Sequence, residues 1–341
     1  MAKLLLGLDI GIQTIKAVQI SKDRKQSALL AAGYIGSPSK AILSSISSDD
    51  QVIADAINRL VHDMKVATSD VSASLPSSRV ITRIIDIPNM SEEELSSSIE
   101  WEAEQYIPLP LSKVKIDYAI INKDENNKMK VLLVAAPIAI IERYMRVISL
   151  AGLNPLAFET EILANARSIA LSFPTLSNLM IFSMGASSSE VGIVHNGILV
   201  YSKSYPIGGN TLTRSIAEEL GFELSQAEEY KKTYGLEEEK LEGKIARTLA
   251  PFFSNIFHEI EKTIAYFKEQ YPKDELKTAI LCGGGAKLPG LILYVTKQLG
   301  IDSQINNPFI NLNVDPNILP TLIPDASTYT TAVGLALKDI E

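Results

Sequence analysis

A single cysteine, Cys282, rules out a disulfide framework and fits a reducing compartment, which makes the cytoplasm the expected location. The three histidines, His62, His195 and His258, lie far apart, and none sits in a metal-ligand motif. No block of Lys or Arg occurs, and the net charge is −8. A nucleic-acid partner, which needs clustered cations against phosphates, is therefore not expected. Long apolar runs are also missing. The longest uncharged one, Val131 to Ile141, is too short for a bilayer and contains Pro137. The apolar stretch Leu4–Leu8 stops at Asp9 with no small-residue cleavage pattern, so no signal peptide and no direct membrane insertion are expected.

What is present is the composition of a soluble globular protein, 46% apolar and 21% charged. A length of 341 residues exceeds one ordinary core and implies two lobes. "KLLLGLDIG", "TIKAVQI" and "LLAAGYI" read as strands, "DDQVIADAINRLVHDMKV" as a helix and "DVSASLP" as a strand. From Val80 the rhythm changes. "RVITRIIDIP" is a strand, and "SEEELSSSIEWEAEQY" is a helix opened by a Ser91–Glu94 capping box with Leu95, Ile99, Ala103 and Tyr106 on its core face. Next come a strand pair around a polar turn and a helix that starts at Pro137 and ends at Gly152. This unit reads as an inserted α/β subdomain. Asn196–Gly197 marks a hairpin. Residues 210–271 read as nearly all helical, with the acidic run Glu237–Glu239 as a helix start, and "YTTAVGLALKDI" reads as a final helix.

The stretch "LMIFSMGASSSEVGIVHNG" at 179–197 repeats the pattern of the opening "LLLGLDIGIQTIKAVQI". In register, Asp9 meets Ser183, Gly11 meets Gly185, and Gln13–Thr14 meets Ser187–Ser188. Each copy is a strand, a glycine turn with small polar residues, and a second strand. Such turns let backbone N–H groups approach phosphate oxygens. "CGGGAKLPG" is a third glycine turn, in which three glycines let a flat ring or sugar lie against backbone.

The order of these turns resembles the actin/Hsp70/sugar-kinase ATPase superfamily. The resemblance covers essentially the whole chain and implies an α/β, actin-like two-lobed fold of duplicated ribonuclease H-like lobes with an inserted FtsA-type 1C subdomain. "GLDIGIQTIK" looks like phosphate-1, "FSMGASSSEVGIV" like phosphate-2, "ILCGGGAKLPGL" like the adenosine motif and "TTAVGLAL" like the second connecting helix. "IEWEAEQYIPLPLSKVKIDYAII" is similar to the subdomain of the PilM family of type IV pilus assembly proteins. The implied divisions are 1–78 (1A), 79–155 (1C), 156–178 with 326–341 as returning helices of lobe 1, 179–209 with 275–325 (2A), and 210–274 (2B).

The resemblance also implies ATP and Mg²⁺ as cofactors. Asp9 would lie near the water shell of Mg²⁺. Gly11, Gln13, Thr14 and Lys16 would cradle phosphates, and Gly185, Ser187 and Ser188 would close from the other lobe. Gly208, Gly209 and Asn210 would line the phosphate or ribose edge, Glu228 and Lys231 would touch ribose and adenine, and Gly283, Gly284, Gly285 and Lys287 would form the adenine floor. The implied partner is the cytoplasmic N-terminal peptide of a PilN-like bitopic membrane protein, with pilus motor ATPases as a second class. That partner would hold the chain at the inner face of the inner membrane, in a pilus or a related secretion or competence system. Ile85, Trp101 and Tyr106 are the candidate peptide contacts, and the strand "RVITRIIDI" is a candidate edge for an added strand. Two alternatives are a sugar-kinase-type phosphotransferase and an FtsA-like filament protein. The first needs a carboxylate turn that residues 70–160 lack, and the second an amphipathic tail that is not expected after "LALKDIE". Ser183 stands where the superfamily has an aspartate that helps align the attacking water. Nucleotide is therefore expected to serve as a structural or switching ligand, and the protein to be at most a slow ATPase.

Overall fold

A computed structural model describes residues 3–23, 26–43, 48–123 and 128–339. The polar turn expected at 124–127 lies outside them. In lobe 1 the strands are β1 (Lys3–Ile10), β2 (Thr14–Lys22) and β3 (Ser27–Gly36). After α1 (Ser39–Leu43) and α2 (Ser48–Asp63), β4 (Asp70–Leu75) completes the first unit. The insertion holds β5 (Ile81–Pro88), α3 (Glu92–Glu104), β6 (Val114–Lys123) and β7 (Lys128–Pro137). The chain returns to lobe 1 through α4 (Ile138–Leu150), β8 (Asn154–Thr160) and α5 (Glu161–Ser172). The helix α4, expected inside an insertion of residues 79–155, belongs instead to lobe 1, because Val147, Ile148 and Ala151 pack in its core against α2. Lobe 2 starts with β9 (Leu179–Met184), β10 (Ser189–His195) and β11 (Ile198–Tyr205). Helices α6 (Gly209–Leu220), α7 (Leu224–Tyr234) and α8 (Lys244–Gln270) follow, then β12 (Thr278–Cys282), α9 (Leu291–Leu299) and β13 (Asp302–Ile305). The last helices, α10 (Leu319–Leu322) and α11 (Thr330–Ala336), pack back on the lobe 1 sheet.

The duplication is carried by topology. One sheet has the order β3-β2-β1-β4-β8 and the other β11-β10-β9-β12-β13. In each, three antiparallel strands are followed by two parallel ones. β1 and β9 sit at the centre, covered on both faces, which is why they read as unbroken apolar runs. Phe182, Phe253 and Phe257 fill the core of lobe 2 between its sheet and α8. The third sheet, β5-β7-β6, packs Ile85, Ile87, Met129, Val131 and Leu133 against Leu95, Ile99 and Ala103 of α3. The Ser91–Glu94 capping box is formed at the start of α3.

Two local expectations change. Residues 154–160 form β8, not part of a returning helix, because this stretch pairs in parallel with β4 and the helix begins only after Thr160. Glu237–Glu239 lie in a turn: Gly235 and Gly243 take positive φ on either side, and α8 starts at Lys244.

The insertion is tied to both lobes. Its edge strand β5 runs beside β11. Lys130 donates to Asp86 at 2.8 Å, and the charges of this pair bear on Tyr271 at the end of α8. On the lobe 1 side, Val80 and Ala136 at the root of the insertion pack with Leu75 of β4. Within lobe 1, Asp50 of α2 is only 1% exposed and accepts from Arg143 at 2.7 Å and from Arg146 at 2.8 and 2.9 Å, both on α4. Arg143 also donates to the carbonyls of Ala41 and Ile42. At the close of the fold α11 crosses α5, where a Cβ on Gly334 would lie 1.8 Å from the Ala164 carbonyl oxygen.

Burial pushes the Asp50 carboxyl up, but the hydrogen bonds and charges of Arg143 and Arg146 outweigh it and hold it below the usual 3.8. A lowered folded-state value adds stability above pH 3.8 that is lost as pH falls through the lower value. Asp50→Asn is expected to cost about 2 kcal/mol at pH 7, the two arginines being partly open to solvent, and to narrow its difference from the parent below pH 4. Urea unfolding at pH 7 and pH 3.5 measures both.

Candidate functional site

The site is the seam where the two glycine hairpins face each other. In lobe 1, Asp9 is 7% exposed near the end of β1, directly opposite Lys16 of β2. Lys16 Nζ lies 3.4 Å from Asp9 Oδ2, and Ser74 Oγ donates to Oδ1 at 3.1 Å. The turn itself is braced from behind. Ser37 Oγ donates to the Gly11 carbonyl at 2.5 Å and Ser37 N–H to that of Gln13 at 2.9 Å. Thr14 opens β2 at the rim.

In lobe 2 the Gly185 N–H donates to Ser188 O at 2.9 Å, closing the turn and leaving Gly185 and Ser187 exposed. The start of α6 is fastened to this turn. Gly209 N–H donates to Gly185 O at 3.0 Å and Asn210 N–H to Ala186 O at 2.8 Å. Gly208 makes the approach possible: a Cβ there would come within 2.5–2.7 Å of backbone atoms of Ala186, Ser187 and Ser188. One hydrogen bond spans the seam, from Gln13 Nε2 to Asn210 Oδ1 at 2.6 Å.

Glu228 and Lys231 belong to the same assembly. Lys231, 7% exposed, donates to Gly209 O at 3.0 Å, Thr213 Oγ1 at 2.8 Å and Glu228 Oε2 at 2.6 Å. Burial pulls the Lys231 ammonium down, while Glu228 pushes back. Here the pair braces the first turn of α6. The triple-glycine turn lies beside the end of β9. Gly283 and Gly285 press on Met184, and Gly284 is open. Gly283 N–H donates to Ser327 O at 2.9 Å, and Lys287 is paired with Asp325.

Two carboxyls that sequence reasoning missed complete the seam. Glu190 lies directly opposite Ser183 across the β9–β10 ladder, just as Lys16 lies opposite Asp9. It is 6% exposed and its Oε2 has no hydrogen-bond partner. Ser77, in the short turn leading to β5, faces the carboxyl without completing a hydrogen bond, and its Oγ is likewise unpartnered. Burial pushes Glu190 up to about 8. Glu161, at the first turn of α5, keeps some surface open yet is enclosed by protein. Burial, then the charges of Asp9 and Glu190, raise it well above the ordinary carboxylate range. The in-register comparison of hairpins could have found Glu190 had it run one strand further. No local pattern pointed to Glu161.

Of the candidate partner contacts, Trp101 is 77% exposed on α3 and Tyr106 is half-buried. Ile85 is corrected: at 2% exposure it packs in the subdomain core and offers no surface to a partner. β5 is an edge strand, but β11 lies beside it.

Two equivalent sheets with facing glycine hairpins define an actin-like fold. In agreement, MreB5 of Spiroplasma citri bound to AMPPNP matches with a TM-score of 0.54 at 14% identity over 98% of this chain and 95% of that one. The ethanolamine utilization protein EutJ from Carboxydothermus hydrogenoformans matches with a TM-score of 0.54 at 16% identity over 99% and 90%. The chain belongs to the type IV pilus assembly protein PilM family, whose model matches residues 7–340. A PilM–PilN type IV pilus biogenesis complex matches with a TM-score of 0.86 at 25% identity, covering 99% of this chain and 98% of that one.

Gly208→Ala forces a methyl group into the backbone of the lobe 2 turn. It is expected to cost about 2 kcal/mol by overpacking, measured by denaturant unfolding. A neutral result would mean that α6 and the turn are not held together as described.

Proposed function

We propose that this chain is a nucleotide-binding scaffold of a type IV pilus inner-membrane assembly platform. ATP with Mg²⁺ occupies the seam, and the inserted subdomain docks the cytoplasmic N-terminal peptide of a PilN-like membrane protein. The observation that carries the nucleotide reading is the pair of equivalent glycine hairpins bridged by Gln13–Asn210. The donor chemistry suits the ligand. Gly11, Thr14, Lys16, Ser187 and Ser188 offer backbone N–H groups, hydroxyls and one ammonium to phosphates, and Gly185, without a side chain, leaves room for their approach. An orphaned buried carboxyl oxygen on Glu190 suits a hydrated divalent ion. Gly284 leaves open surface for the base. When bound, Mg²⁺ would neutralise phosphate charge.

Nucleotide serves this protein mainly as a structural or switching ligand. Ser183 is neutral, so the position where the superfamily has its aspartate supplies no charge to orient an attacking water. Hydrolysis is therefore slow. No helix among the described residues is long and apolar enough to cross a membrane. The peptide partner supplies the attachment, and the chain works at the cytoplasmic face of the inner membrane, where pilus motor ATPases are a second partner class. For the peptide site, Trp101 is the exposed anchor, with Tyr106 beside the subdomain core.

Nucleotide-free protein given Mg-ATP at a hundredfold excess over its Kd is expected to gain about 2.7 kcal/mol. Absence of any thermal shift at millimolar Mg-ATP overturns the nucleotide reading. Titration with a PilN-like N-terminal peptide is expected to shift Trp101 emission to the blue as the indole leaves water, and Trp101→Ala to weaken binding by about 2 kcal/mol. Unchanged affinity in Trp101→Ala removes this residue from the docking site.

A further inference from the structure

The seam contains a rearrangement that answers why lobe 2 lacks its aspartate. The two hairpins superpose as Asp9 with Ser183 and Lys16 with Glu190. In lobe 1 the acid is on the first strand and its cross-strand neighbour is a cation. In lobe 2 the first strand has only a hydroxyl, and the acid is on the second strand. Residues directly opposite in an antiparallel pair project from the same face with Cβ atoms about 5 Å apart. A carboxyl moved from 183 to 190 thus stays on the same face of the hairpin, on the same side of the cleft.

Three observations show that this carboxyl is not spoken for. Glu190 is 6% exposed, and its Oε2 has no hydrogen-bond partner. Asp9, by contrast, already has Lys16 and Ser74. The turn at 77–79, just beyond the strand whose Ser74 holds Asp9, packs against β11 beside β10, so Glu190 faces lobe 1 near the Asp9 end of its sheet. A buried, unpartnered carboxyl is costly, and two neighbouring acids make it costlier. A divalent cation is the ligand that relieves all of these costs together.

We propose that Glu190 is the lobe 2 group that holds the hydrated divalent ion accompanying the nucleotide, having taken over from position 183 across the strand pair. The inference rests on the reading that the seam binds nucleotide with a divalent ion. Glu190 is a positioning residue. It would accept hydrogen bonds from ion-bound water, while Ser183 lies beside Cys282 of the neighbouring strand β12.

The test uses the full chain with ATP and Mn²⁺, following Mn²⁺ binding by electron paramagnetic resonance and ATP binding separately in EDTA. Glu190→Gln is expected to weaken Mn²⁺ binding to the ATP complex at least tenfold, as for loss of a group supporting a metal site, and to leave metal-free ATP affinity within about twofold. Ser183→Asp combined with Glu190→Gln is expected to restore Mn²⁺ affinity, because it returns the acid to the other strand. Ser183→Ala, which needs no new group to be accommodated, is expected to leave Mn²⁺ affinity unchanged. Unaltered Mn²⁺ affinity in Glu190→Gln, or a tenfold loss in Ser183→Ala, overturns the inference while the nucleotide reading stands. If the parent protein binds no ATP with or without Mn²⁺, the nucleotide reading fails and the inference with it.

Discussion

Burying like charges where two lobes meet is the constraint on which this structure turns. Asp9, Glu161 and Glu190 come from three different elements, β1, α5 and β10, and converge on one seam. In water such a group of acids would ionise freely. Enclosed by protein, Glu161 and Glu190 are shifted upward. Lobe 1 offsets its share with Lys16 and the Ser74 hydroxyl. Among the described residues, Glu190 of lobe 2 has only the Ser77 hydroxyl facing it and no cation. The seam is thus built with an electrostatic deficit that the apolar cores on either side must hold closed. Such a deficit is typical of a place where a ligand is expected to contribute part of the stability.

The surroundings show how the deficit is contained. Most side chains that resemblance would assign to nucleotide contact are already hydrogen-bonded within the protein. Lys231 and Glu228 clamp α6, whose first N–H groups are used by the lobe 2 turn. The turns are therefore preshaped, and a ligand would exchange a few exposed contacts such as Gln13–Asn210 without reorganising a helix. Ser77 adds a second link. It stands where lobe 1 leads into the insertion and faces Glu190 of lobe 2. The root of the inserted subdomain and the lobe 2 glycine hairpin thus share one small contact region, and β5 beside β11 extends it.

Much of this was readable before any coordinates. The hairpin repeat in register, the capping box of α3 and the proline start of α4 are local patterns, and local patterns survive folding. Two features were not readable, for different reasons. β8 carries a mixed apolar and polar pattern and becomes a strand only because β4 offers it a partner. Glu161 is an unremarkable first-turn glutamate in sequence, and its shift arises from burial first and then from Asp9 and Glu190, none of which is local in sequence. Ile85 shows the opposite error. A strand residue expected at a docking edge belongs to the inward face of a three-stranded sheet. Alternation identified the strand but not which of its faces would be covered.

The crossing of α5 and α11 at Gly334 is a backbone-to-backbone contact. Sliding one helix along the other by a residue would drive Leu335 or Val333 into the Ala164 carbonyl, and neither fits in the space a glycine leaves. One residue without a side chain thus works as a detent, fixing the register in which two helices distant in sequence meet.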